Sequence, residues 1–189
     1  MKRYDILDDI FAHVWSYVEA AVHERNNAMT TPVFATHGPA ARTVALRAFD
    51  PQKRSLIFHT DARSAKVNQI GENPRASWVG WDERLSQQFQ LIGTTTVHTN
   101  DEFAERLWES EPEENLDFYY KTLAPGSGID GPVKCVDRDA VSSERARENF
   151  AAVRTVVDEI VWLHLHPEIE YRARFRWDGE AFRGEWIVP

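Results

Sequence analysis

Three segments decide how this chain folds: RTVALRAFD (residues 42–50), SLIFHTDARSAK (55–66) and NPRASWVGWDERLSQQFQLIG (73–93). Each contains an apolar, β-rich run bordered by cationic, hydroxyl or amide side chains. Between Arg42 and Lys66 there are six Lys or Arg and two acidic residues, a local charge of +4 in a chain whose net charge is −8. Arg and Lys donate charge-assisted hydrogen bonds, and Arg can hold two phosphate oxygens at once, so this basic island predicts a bound anion.

The first segment predicts a strand over residues 41–49 whose two faces differ, because successive side chains of a strand point to opposite sides. One face carries Arg42, Val44 and Leu46, and the other carries Thr43, Ala45 and Arg47. Residues 54–60 return as the next strand. Taken alone, the two arginines could also be solvated charges on an exposed sheet face.

A strand-to-helix junction follows this second strand. Thr60 or the aspartate after it can cap a helix over residues 62–71, whose first turn would carry Ser64 and Lys66. The start of a helix presents free backbone N–H groups and the positive end of its dipole. We therefore expect a phosphate group against Arg42, Ser64 and Lys66, with a capped surface helix that binds nothing as the alternative.

The third segment predicts strands over residues 75–82 and 86–98. Gln88, Gln90 and Ile92 share one face of the second of these strands. Amides on this face can donate to and accept from the edge of a heteroaromatic ring that carries carbonyl and N–H groups. A solvent-facing strand is the alternative interpretation.

These motifs, in this order, resemble the FMN-binding split-barrel superfamily, of which pyridoxamine 5'-phosphate oxidase is the type member. The family's Arg-x-Val-x-Leu-Lys strand, aromatic-Thr pair, Ser-Arg-Lys turn, Asn-Pro pair and Arg-Gln-Val-Arg-x-x-Gly strand correspond to residues 42–47, 59–60, 64–66, 73–74 and 87–93. Each motif alone is weak, but the ordered set is fairly specific.

The resemblance implies an FMN phosphate held by cations and hydroxyls, with the isoalloxazine along the strand of residues 44–47. The residues expected to bind the cofactor are Arg42, Thr43, Val44, Ala45, Leu46, Arg47, His59, Thr60, Arg63, Ser64, Lys66 and Gln88. It also implies an α+β fold, an antiparallel Greek-key split β-barrel of about six to eight strands with flanking helices. Family members are usually homodimers with FMN at the subunit interface, so a homodimer is expected.

The chain departs from the family pattern at several positions. Ala65 stands where the family has Arg, although Arg63 could reach the same space, and Arg47 stands in the place of Lys. The C-terminal region lacks the Arg-Leu-His that grips the pyridoxal moiety in the type enzyme, and Tyr171 runs into Arg172 instead. The resemblance therefore supports FMN binding better than it supports the substrate of the type enzyme, and the substrate of this chain stays unidentified.

The remaining elements follow from apolar periodicity. Helices are expected over residues 5–26, the first half of 100–118, 115–123 and 142–157, and strands over 30–37, 159–165, 169–177 and 181–188. The acidic residues of 100–118 are expected to form a solvated face. No linker or repeat is visible, so residues 1–189 are expected to form a single FMN-binding split-barrel domain.

Composition excludes several classes of function. The acidic balance argues against nucleic acid or an anionic membrane as the main partner, and no run of 18 apolar residues predicts a membrane-spanning helix. The N-terminus has no apolar signal-peptide core. Cys135 is the only cysteine, which is expected to be an ordinary thiol in a cytoplasmic protein.

Other chemistries are poorly supported. His164 and His166 could share one strand face as metal ligands, but no HExxH motif completes a site. Neither a Walker or Rossmann phosphate loop nor a Gly-x-Ser-x-Gly elbow is present. Two functions stay open: an FMN-dependent oxidoreductase acting on a small molecule, and a non-catalytic flavin-binding module for storage, sensing or transfer. Two further alternatives are the oxidation of pyridoxamine 5'-phosphate itself and a split barrel that binds haem or a deazaflavin, with His59 as a conceivable haem ligand.

Overall fold

The computed structural model describes residues 4–132, 136 and 138–189. These residues form one antiparallel sheet of nine strands: β1 (Val33–Ala35), β2 (Ala41–Thr43), β3 (Ala48–Asp50), β4 (Ser55–Asp61), β5 (Arg75–Asp82), β6 (Gln87–His98), β7 (Phe150–Leu165), β8 (Glu170–Trp177) and β9 (Phe182–Trp186). The helices around the sheet are α1 (Leu7–Ala20), α2 (Ala65–Glu72), α3 (Glu102–Ser110), α4 (Glu113–Leu116) and α5 (Ser143–Asn149), with a 3₁₀ turn at Asp117–Tyr119. The predicted α+β class is confirmed.

The segment of residues 41–50 closes the sheet into a barrel. The strand order is β2-β1-β5-β6-β7-β4-β3, so the two ends of the path, β2 and β3, follow each other directly in the chain. The backbone N–H of Leu46 donates to Thr30 O at 2.9 Å, and that of Arg47 donates to Ile57 O at 2.8 Å. The segment thus leaves β1 and joins β4 within a few residues. The prediction of one strand over 41–49 is wrong for this reason, and the sheet has nine strands rather than six to eight.

The barrel interior is filled by aromatic and branched side chains. Trp78 is fully buried between Phe34 and Phe58, with ring centroids 5.4 and 5.5 Å away, and its Nε1 donates to Thr155 Oγ1 at 3.0 Å. Along β6, the odd-numbered positions from Gln87 to Thr95 are buried, while Gln88, Gln90 and Ile92 share the other face, as predicted.

The predicted helix over residues 142–157 is wrong in its second half. Helix α5 ends at Asn149, and residues 150–157 begin β7, where they pair with β4 and with the second half of β6. Spacings of three and four between Phe150, Val153 and Val157 imitate a helix, but Val153 and Val157 also share one strand face. Pairing on both sides and β-branched side chains favour the strand.

Other boundaries shift by less. The helix predicted over 5–26 ends at Ala20, and the helical piece predicted over 115–123 is replaced by α4 and the 3₁₀ turn. No helix among the described residues is long and apolar enough to span a membrane. Cys135, which is predicted to be an ordinary thiol, lies outside the described residues.

A buried histidine on β7 makes stability dependent on pH. His164 is 1% exposed, stacks on Tyr171 with ring centroids 5.7 Å apart, and has no hydrogen-bond partner for either ring nitrogen among the residues described. Burial, helped by repulsion from His166 and His13, lowers the pKa of His164.

We therefore expect the free energy of unfolding to fall as the pH drops below about 6.5, the ordinary His value. Below this pH, His164 binds a proton in the unfolded chain but not in the folded chain. One such group therefore lowers the free energy of unfolding by up to about 1.4 kcal/mol per pH unit. Urea unfolding between pH 7.5 and 5 should show a shallower pH dependence for His164→Phe than for wild type. His23→Phe, at an exposed position, is the control, and an unchanged slope in His164→Phe would contradict the prediction.

Candidate cofactor site

Arg42 lies at one end of the barrel against the helix α2. Its Nη1 donates to Thr36 Oγ1 at 3.0 Å and to Phe34 O at 3.3 Å, and its Nη2 donates to Gln69 Oε1 at 2.7 Å. Gln69 follows Lys66 by three residues, so both lie on one face of α2. The strand that carries Arg42 and the helix that carries Lys66 are thereby brought together.

Lys66 lies in the first turn of α2, as predicted. Its Nζ donates to Thr60 Oγ1 at 2.8 Å and to Ser64 Oγ at 3.1 Å. The helix begins at Ala65 with Ser64 as its N-cap residue, so the prediction that Thr60 or Asp61 caps it is wrong. We call the group Arg42, Thr60, Ser64, Lys66 and Gln69 the cation pocket.

The two cations of the cation pocket are not paired with a carboxylate in the described part of the chain. Neither Arg42 nor Lys66 forms a salt bridge within the described ranges. Burial and the repulsion of Arg42 lower the pKa of Lys66, although Asp61 acts in the opposite direction, and burial lowers the pKa of Arg42. Two partly buried cations that repel each other beside two hydroxyls fit a phosphate dianion, whose charge would relieve both effects.

Arg63 is engaged elsewhere. Its Nε and Nη2 donate to the two carboxylate oxygens of Asp61 at 3.0 and 2.7 Å, and its Nη1 and Nη2 reach Thr122 O and Lys121 O. The Asp61 hydrogen bond raises the pKa of Arg63, although burial acts in the opposite direction. Its predicted contact with the cofactor would require this arrangement to open.

The segment between β2 and β3 has the two faces that the sequence predicted. Val44 and Leu46 are 9% and 5% exposed and pack in the barrel core, whereas Thr43, Ala45 and Arg47 are exposed. If Val44 and Leu46 contact the cofactor as predicted, they do so through their backbone, because their side chains are buried in the core. Arg42 and Arg47 point to opposite sides of the segment.

Arg47 and His59 meet a carboxylate that the sequence did not point to. Glu111 Oε2 lies 2.8 Å from His59 Nδ1, Glu111 Oε1 lies 3.9 Å from Arg47 Nη2, and Asn115 Nδ2 donates to Oε1 at 2.7 Å. We call Arg47, His59, Glu111 and Asn115 the Glu111 cluster. The predicted solvated face of residues 100–118 is wrong at this position, because the Glu111 side chain is only 8% exposed.

In the Glu111 cluster, neither ring nitrogen of His59 makes an aligned hydrogen bond to a described residue, although Nδ1 lies beside the Glu111 carboxylate. His59 Nε2 is buried, and no described residue forms a hydrogen bond with it. An unsatisfied buried nitrogen costs about 1–3 kcal/mol. A bound ring with polar edges fits this atom, as the cation pocket fits a phosphate.

Within one protomer, Gln88 lies far from the cation pocket and from the Glu111 cluster. It pairs with Leu163 of β7, whereas His59 pairs with Ala152 of the same strand. At about 3.3 Å per residue, the two positions are roughly 35 Å apart along β7. All twelve predicted site residues stay predictions, and Gln88 is the one that a single chain does not place near the rest.

Sequence reasoning did not select Gln69, Glu111 or Asn115. The helical spacing between Lys66 and Gln69 could have indicated the first. Nothing in the acidic run distinguishes Glu111 from its neighbours. The structure gives no group of three or more His, Cys, Asp or Glu residues able to hold a metal within the ranges it describes.

Comparison with known sequences agrees with the family resemblance. A family model described as pyridoxamine 5'-phosphate oxidase, FMN-binding domain, matches residues 9–99 and indicates FMN as the cofactor. A pyridoxine/pyridoxamine 5'-phosphate oxidase of Gloeothece citriformis is 38% identical over 89 residues, 44% of this chain and 41% of that protein. The corresponding protein of Kineococcus radiotolerans is 30% identical over 137 residues, 72% of this chain and 54% of that protein. The chain thus spans about half the length of these curated relatives, or less.

Solved structures share the whole fold. A pyridoxamine 5'-phosphate oxidase-related, FMN-binding protein of Nostoc punctiforme superimposes with a TM-score of 0.68 at 21% identity, over 100% of both chains. PhzG of Burkholderia lata, solved with tetrahydrophenazine-1-carboxylic acid, gives a TM-score of 0.68 at 18% identity, over 96% of this chain and 92% of its own. The predicted split barrel and the family resemblance are confirmed.

Proposed function

Because residues 9–99 match the FMN-binding domain of the pyridoxamine 5'-phosphate oxidase family, we propose that this chain is an FMN-dependent oxidoreductase acting on a small molecule. The observation that carries the proposal is the cation pocket, where Arg42 and Lys66 converge beside two hydroxyls without a carboxylate partner in the described part of the chain. In the proposal, residues 1–189 act as one cytoplasmic domain, and the location rests on the single cysteine.

In the proposed function, the protein binds FMN, orients its ring and adjusts the electronic properties of that ring. Arg42, Lys66 and the hydroxyls of Thr60 and Ser64 would hold the phosphate. Arg47, with a side chain 36% exposed, would place a positive charge near the ring and favour its anionic reduced form. FMN itself supplies the acceptance and release of electrons.

An absorption spectrum of the purified protein tests the proposal. Absorption bands at about 450 and about 370 nm should appear. The band at about 450 nm should disappear when the protein is reduced and return when an oxidant is added. A colourless protein that does not bind added FMN would refute the proposal, and a Soret band would point to haem.

A non-catalytic flavin-binding module is the second candidate. It is favoured by the absence of the Arg-Leu-His that grips the substrate in the type enzyme, since Glu170 and Arg172 stand in that region. Turnover distinguishes the two functions: such a module would hold FMN but would not be reduced by any small-molecule donor faster than free FMN is.

We also propose that two chains complete each cofactor site. Gln88 and the Glu111 cluster lie at different ends of β7, so a Gln88 that contacts the same FMN must come from a second copy. Exposed Trp81 (47%) and Val33 (40%) lie on the same outer face of the sheet as Gln88, which suits an interface.

Light scattering on the FMN-loaded protein should therefore give about twice the 21.8 kDa chain mass. Replacing Trp81 by Lys on the proposed interface should shift the mass toward the monomer and weaken FMN binding at the same time. A wild-type monomer that binds FMN tightly would contradict the shared site.

A further inference from the structure

Glu111 connects three separate parts of the chain through one carboxylate. Its carboxylate accepts a hydrogen bond from Asn115 Nδ2 of α4 at 2.7 Å. It also lies 2.8 Å from His59 Nδ1 of β4 and 3.9 Å from Nη2 of Arg47, which precedes β3. The side chains of Glu111 and His59 are 8% and 5% exposed. A carboxylate held from three directions in a buried place has one orientation, and so does the imidazole beside it.

This carboxylate stays ionised. Burial raises the pKa of Glu111, but its contacts with His59, Arg47 and Asn115 outweigh burial, so the pKa lies below its ordinary value. Glu111 therefore acts only as an acceptor toward His59.

The contact also decides which ring nitrogen of His59 carries the proton. A carboxylate oxygen and a bare nitrogen would repel each other at 2.8 Å, so Nδ1 bears the hydrogen and Nε2 of the neutral ring is an acceptor. The Nδ1 contact is short but is not aligned as a hydrogen bond. His59 Nε2 is thus a buried acceptor that nothing in the described part of the chain satisfies.

Oxidation of a C–H bond next to an N–H or O–H group needs such an acceptor. FMN, where the proposed function places it, would accept the C–H hydrogen together with its electron pair, the N–H or O–H proton would go to a base, and a C=N or C=O bond would form. We propose that His59 Nε2 takes this proton and that Glu111 is the positioning residue that keeps Nε2 available for it. The role rests on the proposed function, whereas the His59–Glu111 geometry does not.

Side-chain nitrogen NMR tests the positioning role. At a pH where the ring is neutral, His59 should carry its proton on Nδ1 in wild-type protein, with and without FMN, and His59→Phe assigns the signal. Glu111→Gln should give a mixture of the two ring forms, because the amide can offer an N–H to Nδ1. Glu109→Gln, an exposed residue of the same segment, should not change them. A wild-type proton on Nε2, or a Glu111→Gln spectrum equal to wild type, would overturn the assignment.

A second measurement tests the proton uptake. Chemical reduction of the FMN-loaded wild type with dithionite at constant pH should convert His59 from singly to doubly protonated, with the proton coming from solvent in this case. Glu111→Gln, compared with wild type with both proteins saturated with FMN, should lose at least half of that conversion. A neutral His59 in the reduced protein would refute the proton role. Failure of wild type to bind FMN would refute the proposed function instead, and the ring form of His59 would still be measured.

Discussion

Replacing Arg42 or Lys66 by alanine should weaken FMN binding about ten- to a hundred-fold, because each charge-assisted hydrogen bond to a phosphate is worth roughly 1.5–3 kcal/mol. Riboflavin lacks the phosphate, so its affinity should change little in either variant. Both variants should therefore lose most of the wild-type preference for FMN over riboflavin. Titration calorimetry with the two ligands measures this preference directly.

A matched control lies in the same basic island. Lys53 pairs with Asp50 at 3.3 Å, and its side chain is 77% exposed, so Lys53→Ala should leave both affinities unchanged. The double variant of Arg42 and Lys66 should lose more than either single variant, since both cations face one dianion. If the two single variants bind FMN as wild type does, the phosphate is held elsewhere and the cation pocket is only structural.

Gly93→Ala should destabilise the fold by more than about 3 kcal/mol, a large part of the 5–15 kcal/mol that holds a typical domain together. Gly93 lies where the pairing of β6 with β7 shifts register after Ile92. A Cβ built there would lie 2.1 Å from Val156 O and 2.7 Å from Val156 C. Backbone atoms of a paired strand cannot step aside as the end of a side chain can, so the β6–β7 pairing itself must open.

Urea unfolding measures the free energy of unfolding of Gly93→Ala, with Gly71→Ala as the control. Gly71 lies in α2, and a Cβ there meets nothing within 4 Å. Because alanine is the better helix former by up to about 1 kcal/mol, Gly71→Ala should be as stable as wild type or slightly more stable. Equal stability of the two variants would show that the β6–β7 pairing absorbs the extra carbon.

The grouping of Thr60, Ser64 and Lys66 in the cation pocket was predictable because these residues are close neighbours in the sequence. Lys66 follows Thr60 and Ser64 closely, so the strand-to-helix junction places one cation beside two hydroxyls through local geometry. Arg42 is held beside α2 because Gln69 of that helix accepts from its guanidinium, together with Thr36 and Phe34 O of the β1 region. The sequence predicted both cations, and the tertiary structure supplied the residue that joins them.

The inward turn of Glu111 could not have been predicted in the same way. It is one acid in a strongly acidic run, and its burial depends on Arg47 and His59, which lie more than fifty residues earlier in the chain. Local charge favours solvation of every acid in such a run. Only the packing of α3 and α4 against the sheet singles out this carboxylate.

The sequence by itself indicated the family resemblance, the FMN cofactor and the alternation of β6, because each of these depends on residues within a few positions of one another. Only the tertiary structure decided that the segment after Arg42 changes partner from β1 to β4, and that residues 150–157 form a strand instead of a helix. In both cases the deciding hydrogen bonds run to strands far away in the chain. A spacing of three or four apolar residues fits a helix and a strand alike until those partners are present.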